Sequence, residues 1–508
     1  CGEVAQLTDG HYRRGMADQH VDVLIVGAGI SGIGAACHLT RELPGRSYAI
    51  LERRHAIGGT WDLFRYPGIR SDSDMYTFTY RFDPWLGSKV LADGATIREY
   101  VNRTAVMHGV LDHIRFGERV VRADWSSADR LWSVLAVDES GATSTWTCDF
   151  LFTCTGYYNY DQGYRPDFPG EDTFRGTIVH PQHWPADLDC RGKRVVVIGS
   201  GATAVTLVPA LAGETEHITM LQRSPGYIVA LPARDTQAEA LRRWLPDLAV
   251  YRLARARNIA IQRGLYWFAQ RHPDRMKRMV LAGARKRLGD GADLRDFTPR
   301  YQPWDQRLCI VPDGDLFTAI REGKADVVTD TIEMFTSDGI RLTSGAELDA
   351  DVIVVATGLQ LQMLGGAQLF VDGEQVAINE RLIYKGVLLE GVPNSALVFG
   401  YINASWTLKA DLAAEYVVRL LRHMDAHGYT EVVARAADDD RTAQSMMSGL
   451  TSGYVRRADG MLPRQGREQP WRVLHNYLRD APMLRYRRID DGILRFTKAA
   501  SPRLEVGV

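Results

Sequence analysis

The chain alternates short apolar runs with amphipathic stretches, and the apolar runs stop at glycines. Residues 21–26, within VDVLIVGAGISGIGAACHL, form a run of the kind expected for a strand covered on both faces of a parallel sheet. SYAILE, KRVVVIGSG, HITMLQ, FLFTCTGYY and ADVIVVATG repeat the pattern. After the glycines of the VDVLIV and KRVVVI runs the apolar residues adopt helical spacing. Strand, glycine turn, helix and strand make a βαβ unit. Its occurrence twice predicts an α/β protein with two Rossmann-like dinucleotide-binding domains. Between 236 and 304 the periodicity is helical throughout, which predicts a helical insertion. The expected division is 1–165 with 360–508 as the first domain, 166–189 as a linker, 190–235 with 305–359 as the second, and 236–304 as the insertion. Residues 360–508 carry no third glycine motif. They are expected to complete the first domain and line a substrate cavity, with Trp406, Trp471 and Tyr477 as wall or core residues.

The glycine turns bring chemistry into this pattern. Gly27, Gly29 and Gly32 read GxGxxG. Their roles are a tight turn, close backbone approach to a pyrophosphate, and close packing of helix on strand. The helix N-terminus then faces the phosphates. Glu52 ends the next strand, 25 residues beyond Gly27, where a carboxylate suits a ribose hydroxyl. In the second unit Gly199, Gly201 and Ala204 read GxGxxA, with Ala202 and Thr203 opening the helix. Its next strand ends in Gln222, 23 residues beyond Gly199, followed by Arg223 and Ser224. The acid is replaced by a cation suited to a 2′-phosphate, so the first site fits FAD and the second NADPH rather than NADH. Two later strands end at Thr155–Gly156 and at Thr357–Gly358, placed to return the chain between the domains. Two dinucleotides on one chain imply hydride transfer from NADPH to a flavin.

Composition narrows the picture. A chain of 508 residues suggests about three domains. A net charge of −1 gives no reason to expect nucleic acid as a partner. The absence of a long apolar run predicts no integral membrane segment. CGEVAQLTDGHYRRG, which begins with Cys1 rather than Met, does not resemble a secretion signal. The 6 cysteines are scattered without a CxxC, which argues for a reducing, cytoplasmic setting and against a dithiol centre or a metal site. From Arg252 to Arg287 there are 11 Lys/Arg and one acid, Asp274. The favoured reading is a solvated basic face or one that attracts NADPH. The sharper alternative is peripheral contact with a membrane surface or a lipophilic substrate.

One segment, FRGTIVHPQHWP at 174–185, suits neither a helix nor a strand, because of Gly176, Pro181 and Pro185. Phe174, Gly176, His180, Trp184 and Pro185 match F-x-G-x-x-x-H-x-x-x-W-P, and the chain thereby resembles the type I Baeyer–Villiger monooxygenases. GGTWDLFRYPGIRSDSDMY is similar to the family's flavin-contacting segment, which implies that Gly59, Thr60 and Trp61 touch the flavin and that Asp72 is the active-site aspartate. PWDQRLCIVP is similar to the segment bearing the active-site arginine, here Arg307. The resemblance covers essentially the whole chain. It is nearest the family's ethionamide-activating branch, through RYPGIRSDSDMY, HPQHWP, GSGATAVTLVPAL, LQRSP, WDQRLC and NASWTLKADL.

The resemblance implies FAD, NADPH and O2 as cofactors and co-substrate. It implies a C4a-peroxyflavin that converts small lipophilic ketones to esters or lactones and oxidises sulfur in thioethers or thioamides. It further implies that Arg307 stabilises developing negative charge, that Asp72 pairs with Arg307 as a buried ion pair, and that the linker couples domain movement to turnover. His180 fits a hydrogen-bonding role in the linker better than that of a base, and Trp184 fits packing. One departure stands out: many members carry Lys-Arg where this chain has Gln306-Arg307, which leaves more of the 2′-phosphate to Arg223. The competing readings are a heteroatom-oxidising flavin monooxygenase or N-hydroxylase, a flavin reductase, and a non-enzymatic flavin scaffold.

Overall fold

In the computed structural model residues 19–289 and 291–498 are described. Cys1 and the outer ends of the first expected domain, 1–18 and 499–508, lie outside them. The first sheet is built around Gln19–Val26, which pairs in parallel with Tyr48–Glu52 on one side and Thr143–Thr153 on the other. Ile114–Phe116 extends it beyond Tyr48–Glu52. Thr143–Thr153 serves two masters, and its burial shows why. Its first part alternates half-buried and buried residues and pairs antiparallel with Leu131–Val137. Its last four residues are all buried, and Leu151–Thr153 pair in parallel with Ser395–Leu397. One-sided strands alternate, whereas strands covered on both faces do not.

Arg119–Ser126, Gln368–Val371 and Glu374–Gln375 complete the sheet, which thus includes strands from beyond residue 360. Successive residues of the central strand enter separate cores: Val23 and Ile25 pack on one side, Leu24 and Val26 on the other. The glycine helix Ile30–Glu42 lies in the first of these cores with Trp406–His427. Those two helices are joined by His38, whose Nε2 lies 3.0 Å from Asp411 and whose Nδ1 lies 3.2 Å from Glu42.

The second sheet has five parallel strands in the order Ala325–Thr329, His217–Gln222, Arg194–Ile198, Val352–Val355 and Thr177–Val179. The last of these corrects the reading of 174–185 as free of strand. Thr177–Val179 forms an edge strand, and Pro181 falls only after it, where no ladder amide is needed. The linker is therefore part of the second nucleotide sheet.

The insertion folds as Thr236–Leu241, Asp247–Arg271 and Pro273–Leu288. It is closed at its base by parallel pairing of Ile228–Leu231 with Cys309–Pro312. Its basic run is not wholly solvated. Arg255 is buried and donates to the Tyr76 carbonyl at 2.6 Å and the Thr79 carbonyl at 3.0 Å, and Arg257 pairs with Asp235. Arg255 thus pins the long helix to the first domain by satisfying carbonyls at the end of the short helix Met75–Phe78.

Candidate active site

A large cavity opens at the carboxyl ends of the central strands of the first sheet, where Val26, Glu52 and Cys154 form part of its wall. This is where open α/β sheets place their ligands. Gly27, Gly29, Gly59, Thr60, Trp61, Asp72, Ala202 and Arg307 line the same cavity, so residues from both nucleotide units converge on it. Gly27 has φ 101°, and a Cβ there would lie 2.9 Å from the Cys154 carbonyl oxygen. A Cβ on Gly32 would lie 1.8 Å from the Gly27 carbonyl oxygen, so the glycine is needed for the helix to start against the strand. Gly29 and Gly59 face each other across the floor, with a Gly29 Cβ position 3.6 Å from the Gly59 Cα. Two facing glycines leave backbone where side chains would fill the cradle, and this geometry fits a pyrophosphate.

Glu52 is buried, and both of its oxygens are engaged: Oε2 accepts from the Ala28 amide at 2.7 Å and Oε1 from the Arg54 amide at 2.8 Å. Burial raises its pKa, and the two backbone donors work against the rise. Its first task is therefore to hold the glycine loop.

The second unit repeats the arrangement. Gly199 has φ 139°, with a Cβ position 2.3 Å from the Ala356 carbonyl oxygen, while a Cβ on Gly201 would meet nothing within 4 Å. Ala202–Leu211 follows as the helix, with Thr203 in its first turn. Gln222 is buried and committed to the protein, donating to the Asp296 carbonyl at 2.7 Å and to Thr329 Oγ1 at 2.9 Å. Arg223 and Ser224 beyond it are exposed, and among the described residues Arg223 has no carboxylate within 4.0 Å. Thr357 Oγ1 donates to the Tyr164 carbonyl at 2.6 Å, and the Gly358 carbonyl accepts from the Tyr164 amide at 3.1 Å. The Arg457 guanidinium stacks 3.4 Å from the Tyr164 ring centroid. Burial lowers its pKa, Tyr164 opposes this, and the charge of Arg223 lowers it further. Sequence reasoning missed this second cation, because it comes from the far C-terminal region.

Arg307 sits on a constrained loop. Trp304 has φ 73°, a sparsely populated backbone region for a bulky residue. The Asp305 carbonyl accepts from the Thr451 amide at 2.8 Å and from Thr451 Oγ1 at 2.9 Å, so the loop is docked on the C-terminal region. Arg307 Nε is shielded from solvent and has no hydrogen-bond partner. Burial disfavours its charge, but Tyr157, Tyr454, Asp72 and Tyr158 outweigh it and hold the guanidinium above its usual range. The buried Asp72–Arg307 ion pair is not formed. Asp72 is exposed, and no ion pair within 4.0 Å joins the two among the described residues. The loop around Asp72 is fixed by its neighbours, since Ser71 Oγ accepts from the Ser73 amide at 3.0 Å and Asp74 caps Met75–Phe78, while Asp72 and Arg307 line the same cavity without pairing.

The fingerprint residues divide by role. Phe174 meets Phe335 edge-on at 6.3 Å, and a Cβ on Gly176 would lie 2.4 Å from the Asp351 carbonyl oxygen. His180 Nδ1 accepts from the Gln182 amide at 3.2 Å, and its Nε2 is buried without a partner. Burial, with the nearby charges of His183 and Arg165, pushes its pKa down to about 4, so the ring is neutral near neutral pH. Trp184 packs on the core of the second nucleotide unit, which includes Val197 and Leu207, and Pro185 follows it half-buried. None of the five lines the cavity. Further cavity residues were not singled out in the sequence: Tyr157, Tyr158, Tyr160 and Tyr401. The TGYYNY run directly after a parallel strand was the available signal. Trp406 does line the cavity and donates to Ser31 Oγ at 2.8 Å, whereas Trp471 is core and Tyr477 lines a separate cleft. The five described cysteines are buried free thiols.

The flavin-binding monooxygenase-like family matches residues 89–236, and an NAD(P)-binding Rossmann-like domain matches residues 25–88. The putative FAD-containing monooxygenase MymA of Mycobacterium tuberculosis is 57% identical over 488 residues, covering 95% of this chain and 99% of that protein. The FAD-containing monooxygenase EthA of the same organism is 55% identical over 486 residues, covering 95% of this chain and 99% of that protein. Among solved structures, an oxidized steroid monooxygenase bound to NADP shares the fold, with a TM-score of 0.75 and 22% identity over 94% of this chain and 100% of that one. With the converging nucleotide loops and the fingerprint between them, these likenesses place the chain in the type I Baeyer–Villiger family of flavoprotein monooxygenases, as a relative of EthA and MymA.

Proposed function

We propose that this protein uses FAD, NADPH and O2 to insert one oxygen atom beside the carbonyl of a small lipophilic ketone, giving an ester or lactone, and that it oxidises sulfur in thioethers and thioamides. The balance is one ketone, one O2, one NADPH and one proton to one ester, one water and one NADP⁺. Bound FAD supplies the oxygen chemistry with electrons from NADPH. Gly27, Gly29, Glu52, Gly59, Thr60 and Trp61 hold FAD. Gly199, Gly201, Ala202, Thr203, Ser224, Thr357 and Gly358 hold NADPH, with Arg223 on its 2′-phosphate.

The observation that carries the reading is Arg307: a cation on the wall of the FAD cavity, on a pinned loop, with Nε free of any partner. A fixed donor of this kind stabilises negative charge developing on a substrate oxygen. Asp72 lines the same cavity, and its charge helps hold the Arg307 guanidinium in its charged form without an ion pair. The aromatic wall of Tyr157, Tyr158 and Trp406 suits an apolar substrate.

The test is product analysis with FAD-loaded protein, NADPH and air, offering a cyclic ketone and an aryl methyl thioether in parallel. Lactone and sulfoxide are both expected. Sulfoxide alone would favour the heteroatom-oxidising reading, and NADPH consumption with neither product would overturn the assignment.

A further inference from the structure

The long insertion helix Asp247–Arg271 has the wrong face toward water. Its core side is ordinary: Val250, Tyr251, Ala254 and Ala269 are buried. On the opposite side Leu253, Ala256, Ala260, Gly264, Trp267 and Arg271 recur at steps of three and four residues, and every one is exposed. Leu253 is 52% exposed and Trp267 58%, with Ile261 at 50% on one flank. Just ahead of the helix Trp244 stands 85% exposed. A solvated helix face is normally polar, and a contiguous apolar face marks an interaction site.

The charges beside this face are mostly positive, with Asp247 at one end of the helix and Asp274 just beyond the other. Arg243, Arg252 and Arg271 are exposed, and none has a carboxylate within 4.0 Å among the described residues. A tryptophan and leucine face bordered by arginines, on a helix with no membrane-spanning length of apolar residues, is the pattern of a helix lying in the plane of an anionic lipid surface. A second copy of this chain fits the face poorly, since a two-fold contact would set these arginines against their own copies. Beside this face the helix also borders a small, mixed cleft that includes Arg263 and Asn476. Ile259 and Tyr266 of the same helix line it against Leu408 and Leu478, and Ala404 borders both this cleft and the FAD cavity.

We infer that the Leu253–Trp267 face docks on an anionic lipid surface. The surface would be one of phosphoglycerol or similar headgroups, and docking does not depend on the oxidation chemistry.

The experiment is sedimentation of FAD-loaded full-length protein with vesicles of phosphatidylcholine alone and of phosphatidylcholine mixed with phosphatidylglycerol. Binding to the mixed vesicles is expected to weaken with salt. It should fall roughly tenfold or more on pure phosphatidylcholine, in Leu253→Glu/Trp267→Glu, and in Arg252→Gln/Arg271→Gln. These residues are exposed, so melting temperature and NADPH oxidation with a soluble substrate should stay as in the wild type. No vesicle binding, or binding unaltered by either double substitution, would overturn the inference. So would a wild-type dimer that Leu253→Glu/Trp267→Glu dissolves, which would assign the face to a second copy.

Discussion

The Glu52 carboxylate accepts the Ala28 amide at 2.7 Å, tying the acid at the end of the second strand to the middle of the first glycine loop. Both groups are buried, so removing the acid takes away the amide's hydrogen-bond partner. Glu52→Ala should cost about 1–3 kcal/mol of stability and release FAD. Glu52→Gln keeps an acceptor and should retain more of both. Flavin absorbance after gel filtration and a thermal melt measure the two effects. Full FAD content and an unchanged melt in Glu52→Ala would show that the loop does not depend on the acid.

Arg307→Ala should bind FAD and be reduced by NADPH as the wild type is, yet lose roughly 10²–10³ in product formation, the usual cost of removing one fixed donor to a developing oxyanion. Because Asp72 forms no ion pair with Arg307, Asp72→Ala should cost less than Arg307→Ala. Single-turnover reduction and product yield, measured separately, check both. Equal losses in the two variants would restore the direct pair.

Arg223→Ala should raise KM for NADPH by about tenfold or more, as expected for a lost charge-assisted contact, and leave KM for NADH nearly unchanged. Arg457 lies within electrostatic reach of Arg223, so a residual preference for NADPH should survive the single substitution. Steady-state kinetics with both nucleotides decide it. Equal changes for the two would remove Arg223 from the 2′-phosphate.

His38 carries a pH signature. Burial opposes its charge, but Asp411 and Glu42 overcome the penalty and raise its pKa to about 9. The unfolded value is about 6.5. The charged ring therefore stabilises the fold fully below pH 6.5, and the contribution is lost as pH rises toward 9. The stability advantage of wild type over His38→Gln should shrink across that window, read from chemical denaturation at several pH values. An advantage that is constant or grows with pH would contradict the charged state.

Much of this architecture is legible in local sequence, because the glycine pattern sits in the turn between strand and helix: Gly32 is needed against Gly27 of the same loop, although Gly27 and Gly199 also meet the distant Cys154 and Ala356 carbonyls. What was not legible depends on distant partners. Thr177–Val179 is too short to show periodicity and becomes a strand only beside Val352–Val354. Arg255 reads as one more surface cation until the Tyr76 and Thr79 carbonyls are set beside it. The Asp72–Arg307 pair followed from resemblance, whereas Asp72 is exposed and shares a cavity with Arg307 without pairing to it. The Arg457–Tyr164 stack joins residues far apart in the chain, and nothing in either neighbourhood announces it.

The central claim, insertion of one atom of O2, is tested most directly by isotope. FAD-loaded protein is given NADPH and a cyclic ketone under ¹⁸O2, and the product is weighed by mass spectrometry against NADPH consumed. The account predicts a lactone carrying one ¹⁸O for each NADPH oxidised, with the second labelled atom in water. NADPH consumed with hydrogen peroxide released and no label in any product would contradict it.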